Sequence, residues 1–106
     1  MYMKSAAERD WQPAGYAGGQ RVLLRTSPNG GRTSIVAIEK GTRVKRHRHQ
    51  AGEDVLVLSG RIFSGGFTLS TGDYFFTDVG EEHDLIALED SVLYVSSDKP
   101  VTMLEK

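Results

Sequence analysis

No cysteine occurs among the 106 residues. That excludes disulfide bridges, thiolate nucleophiles and sulfur-ligated zinc sites together. No apolar run approaches the roughly 20 residues a membrane-spanning helix needs. The opening stretch, MYMKSAAERDWQPAGYAGG, lacks the apolar core of a secretory leader. Neither sign of charge is in excess. Thirteen basic residues against 14 acidic ones leave a net charge of −1, which gives no general attraction to nucleic acid or anionic lipid. No activated-serine motif of the Gly-x-Ser-x-Gly kind is present. The expectation is a soluble, cytoplasmic chain with neither membrane nor nucleic acid as partner.

What is present is an ordinary globular composition, 39% apolar and 25% charged. The length suits one domain with a small core. Glycine and Asp/Asn/Ser clusters interrupt the chain too often for helices, so the elements between them are of strand length. Residues 1–19 read as an irregular N-terminal arm, with Trp11 and Tyr16 as the groups that would anchor it. Strands are expected at 21–25, 34–39, 42–49, 53–58, 61–63, 67–69, 73–76, 83–88 and 91–96. SPNGGR, between the first two, carries an Asn-Gly pair suited to a hairpin. Many short strands with Gly-rich turns predict an all-β fold, a sandwich or a barrel spanning residues 20–106.

All three histidines fall in two segments. In the first, Gly41 to Gly60, His47 and His49 are two apart and share one face of a strand. Gly52 permits a turn after which Glu53 faces back toward them. In the second, Gly72 to Ala87, His83 would arrive from across the interior. Three imidazoles and a carboxylate are the donors a divalent transition ion takes when no thiolate is available, and Fe, Mn, Ni, Co, Cu and Zn all suit them. An ion would also account for polar groups whose burial unpaired costs several kcal/mol.

The two segments resemble the paired motifs of the cupin superfamily. The first matches Gly-x5-His-x-His-x3-Glu-x6-Gly at every fixed position. The second keeps Gly72, Gly80 and His83 but has Asp78 where proline is usual and Ala87 where asparagine is usual. The run HRHQAGEDVLVLSG is also similar to the metal-binding cupin domains of certain anti-sigma factors. The resemblance implies a double-stranded β-helix, or jelly roll, holding one metal ion per subunit on His47, His49, Glu53 and His83. It also implies dioxygenase-like, isomerase or lyase chemistry on a small oxygenated molecule, with a non-catalytic ligand- or metal-sensing module as the alternative.

Other features are read more simply. Alternation would place Arg43 and Lys45 on the face of His47, at the mouth of the barrel, where they would favour a carboxylate-bearing ligand. Of the consecutive Tyr74, Phe75 and Phe76 at least one must face inward, and Tyr74 is a candidate substrate contact. In Glu53–Leu58 both faces are apolar, which calls for cover on both sides, by the N-terminal arm or by a second subunit, and points to a homodimer. With every histidine committed to metal, any catalysis would run through the ion.

Overall fold

The computed structural model describes residues 1–105 and is built almost wholly of strands. In chain order they are β1 (Gln12–Pro13), β2 (Gly19–Thr26), β3 (Arg32–Ile38), β4 (Arg43–Arg48), β5 (Glu53–Ser59), β6 (Arg61–Ser64), β7 (Phe67–Ser70), β8 (Tyr74–Thr77), β9 (Glu82–Ala87), β10 (Ser91–Ser97) and β11 (Thr102–Met103). All nine expected strands are present, displaced by two residues at most. Their pairing is antiparallel throughout, in two sheets ordered β1-β2-β3-β10-β5-β8 and β11-β4-β9-β6-β7.

The period-2 pattern explains which sheet face is covered. In β9, His83, Leu85 and Ala87 are buried in alternation, and in β6 so are Ile62 and Ser64. Ile38, Val55, Val57 and Leu93 of one sheet meet Ile62, Leu69, Leu85 and Ala87 of the other in one apolar cluster. Burying each such side chain stabilises the fold by about 1.5–3 kcal/mol.

The N-terminal arm is less irregular than expected. It holds a single turn of 3-10 helix at Ala6–Glu8, and β1 pairs with β2. Lys4 Nζ donates to the Leu23 carbonyl at 3.0 Å. Tyr16 packs against the core cluster, while Trp11 stays exposed.

Two glycines have distinct reasons. Gly60 joins β5 to β6 at φ +92°, and a Cβ there would sit 2.4 Å from the Asp90 carbonyl oxygen. Gly52 has no left-handed backbone. Its missing side chain instead leaves room for the Phe76 ring, which a Cβ would approach to 2.7 Å.

Candidate metal centre

His47 lies in β4 and His83 opposite it in β9, as direct register partners. His49 is just beyond the end of β4. Its backbone N–H donates to the Glu81 carbonyl at 3.0 Å, and its carbonyl accepts from Gly80 N–H at 2.8 Å. The turn before β9 thus fixes the third imidazole. Asp78 belongs to that turn, and its backbone N–H donates to Glu81 Oε1 at 2.7 Å. A proline there would have no such proton to give. Ala87, at the other unusual position, is buried in the apolar cluster.

The three imidazoles converge. Nε2 of His83 stands 2.9 Å from Nε2 of His49 and 3.0 Å from Nε2 of His47. The ring centroids form a nearly equilateral triangle with sides of 4.9, 4.7 and 4.7 Å. Outward-facing partners fix two tautomers. His47 Nδ1–H donates to the Lys45 carbonyl at 2.8 Å. Ser64 Oγ donates to the Asp84 carbonyl at 2.6 Å, so it accepts from His83 Nδ1–H at 2.9 Å. In both rings the Nε2 lone pair therefore points inward. Phe75 stacks on His83, with centroids 5.5 Å apart and planes within 5°.

Two lone pairs 3.0 Å apart with no proton between them repel. A cation on the shared axis turns that repulsion into ligation. The spacing suits one: donors about 2.1 Å from an ion lie about 3.0 Å apart at right angles and about 3.4 Å apart at tetrahedral angles. The observed separations match the right-angled case. Burial first, and then the neighbouring imidazoles, pull His49 and His83 down to about 4. Both are therefore neutral at pH 7, as ligation requires.

Glu53 opens β5 beside this group. Its Oε2 stands 4.0 Å from His49 Nδ1, a buried nitrogen with no hydrogen-bond partner. The carboxylate lies outside the set of imidazole nitrogens that fall within 4.8 Å of one another. Burial, reinforced by Asp54, pushes it up to about 7. A nearby divalent ion would reverse that pressure.

His47, His83 and Glu53 form part of the wall of a cavity of about 730 Å³, within the usual range for small-molecule sites. Arg43 and Lys45 both border it, though not by simple alternation. The register slips between Val44 and His47, so Lys45 and Arg46 together oppose Asp84 alone. This bulge gives the inward position to Val44, which packs on the core. Arg43, paired with Ile86, is engaged by Asp84 at 2.9 Å and by Glu105 at 2.7 Å. Tyr74 is turned away. It is 59% exposed and bonded to Asp54, and Phe75 is the aromatic that reaches the interior. Ser64, which orients His83, is not singled out by the sequence motifs. Its signal was a hydroxyl two residues from Ile62, on the inward face of a short apolar strand.

Two antiparallel sheets around three convergent imidazoles define a small domain of the cupin superfamily. The chain belongs to the ChrR cupin-like domain family, whose model matches residues 1–102. No curated protein sequence shows significant similarity to it. Among solved structures it is similar to an acetylacetone dioxygenase from Acinetobacter johnsonii, with TM-score 0.85, 19% identity and coverage of 100% of this chain and 78% of that one. It is similar also to KdgF from Halomonas sp., with TM-score 0.73, 27% identity and coverage of 91% and 94%. A third likeness is to the anti-sigma factor ChrR, in the structure of its complex with SigE from Rhodobacter sphaeroides. There the TM-score is 0.77 at 24% identity, covering 90% of this chain and 52% of that one.

Proposed function

We propose that the protein is a metalloenzyme that holds one divalent transition ion on His47, His49 and His83, with Glu53 as fourth ligand, and acts on a small oxygenated molecule in the adjoining cavity. The observation that carries this reading is the convergence of Nε2 atoms whose lone pairs are aimed by Lys45 and Ser64 at one wall of that cavity. Three imidazoles and a carboxylate suit Fe, Mn, Ni, Co, Cu or Zn. Such an ion supplies Lewis-acid polarisation of a carbonyl or activation of dioxygen. The chain's own residues do the rest. Ser64 and the Lys45 carbonyl hold the imidazoles in place, Phe75 fixes the plane of His83, and the apolar lining from Val36, Val55 and Leu93 limits water.

The test is oxygen uptake by the iron-loaded protein with short β-diketones, the substrate class in the name of the Acinetobacter relative. Substrate-dependent uptake supports a dioxygenase, and anaerobic conversion supports an isomerase or lyase. A second reading, a metal- or ligand-sensing module acting on a partner protein, is favoured by the family match and the anti-sigma likeness. It predicts metal-dependent stability with no turnover in either atmosphere.

The same reading places the protein in the cytoplasm, where a reduced transition ion is at hand. No helix among the described residues is long and apolar enough to cross a membrane. It also makes the protein a homodimer. Tyr94, Leu56 and Tyr74 lie side by side in register on the outer face of β10, β5 and β8, with Phe76 and Leu58 exposed on the same sheet. Sedimentation as monomer alone at micromolar concentration would remove the dimer from the account.

A further inference from the structure

The cavity has a second polar feature, remote in sequence from the histidines. Along β3, Arg32, Ser34, Val36 and Ile38 all line it, as alternation from one strand face requires. Arg21, the register partner of Val36 on β2, lines it as well. Of the three arginines on the wall, Arg43 is matched to Asp84 and Glu105. Among the described residues, Arg21 and Arg32 have no carboxylate at ion-pair distance. Arg21 is half-buried, and its guanidinium is held below the usual range by that burial and by the positive charge of Arg32. Two cations that disfavour each other on a partly dry wall are stabilised by an anion placed between them. Ser34 adds an independent sign: it is 4% exposed, and its Oγ has no hydrogen-bond partner.

The charge of the whole lining agrees. Among the described residues Glu53 is the only carboxylate on it, against Arg21, Arg32, Lys45 and Lys99, with Arg43 already matched to Asp84 and Glu105. A divalent ion would make it more positive. We propose that the cavity selects a short carboxylate, its anionic end held by Arg21, Arg32 and the Ser34 hydroxyl, its body on the apolar wall and its oxygenated far end toward His47 and His83.

This inference rests on the proposed metal centre for the role of the far end, but the anion site is tested apart from it. The experiment is calorimetric titration of the full, metal-loaded chain with pyruvate, 2-oxobutanoate and 4-oxopentanoate, each beside its methyl ester. At least one acid is expected to bind about tenfold or more tightly than its ester. In the double variant Arg21→Gln, Arg32→Gln the acid falls to the affinity of the ester, and the ester is unchanged, which also shows the cavity intact. Arg21→Lys with Arg32→Lys, which keeps the charge but not the planar fork, recovers part of the acid affinity. The inference is overturned if acids and esters bind alike, if none of the acids binds, or if the double glutamine variant keeps the wild-type affinity. Metal content on the same samples decides the other reading. Discrimination at the arginines without a retained ion keeps this inference and removes the metal chemistry, and a retained ion without discrimination does the reverse.

Discussion

Ser64 shows how much one hydroxyl can decide. It is 1% exposed and spends its proton on the Asp84 carbonyl, so its lone pair is left for His83 Nδ1–H. That fixes which His83 nitrogen faces the shared centre. Removing such a partner from a ligating histidine costs about 10–100-fold in metal affinity. Ser64→Ala is therefore expected to lower affinity for a divalent ion about tenfold, read by chelator competition, with the strand fold intact by circular dichroism. Unchanged affinity would mean that the ring is oriented by Phe75 alone. At this scale the sequence was most informative about the histidines, because all three occur in two short segments with strand-compatible spacing. It was least informative about Arg43, whose partners Asp84 and Glu105 are distant in the chain. The outward turn of Tyr74 is not legible in the sequence, because three consecutive aromatics leave the phase of alternation open. Phase is set by the pairing of β8 with β5, where Phe75 meets the inward Val55.

At the scale of elements, every expected strand is present, since glycine punctuation and β-branched runs are local signals. What the pattern concealed is the bulge in β4. Period-2 reading assumes an unbroken ladder, and one extra residue of backbone, with Lys45 and Arg46 opposing Asp84 alone, reverses the phase between Val44 and His47. The consequence is functional: the His47 ring turns inward while Arg43 is released to the rim. The glycine at the β5–β6 junction makes a second element-level point. Gly60→Ala places a Cβ against the Asp90 carbonyl and forces a left-handed backbone on a residue that resists it. The expected loss is about 2–4 kcal/mol of stability, read from urea unfolding. A loss below about 0.5 kcal/mol would show that the β10 approach can open to relieve the contact.

For the whole molecule, the buried ionisable groups set a pH profile for the metal-free protein. His49 and His83 titrate near 4 in the fold against an ordinary value of 6.5. The unfolded chain binds protons that the fold refuses between those values, so stability falls as pH drops from about 6.5 to 4. Glu53 acts in the opposite sense. It titrates near 7 against an ordinary 4.5, so the stability from its neutral form is complete below 4.5 and is lost as pH rises through 7. Two imidazoles outweigh one carboxylate, and the metal-free melting temperature is expected to peak near pH 6.5. Glu53→Gln should raise that temperature at pH 8, where the buried charge is gone, and yet weaken metal retention. If Glu53→Gln left both quantities unchanged, the carboxylate would be neither strained in the metal-free fold nor a ligand in the loaded one.

The most direct test is elemental analysis of the untagged protein beside His83→Gln, both shown to be folded by circular dichroism. The account predicts close to one divalent transition ion per wild-type chain and almost none in the variant. A folded wild-type protein that retains no such ion after growth with iron, manganese, cobalt and nickel, or a variant that retains as much as the parent, would contradict it.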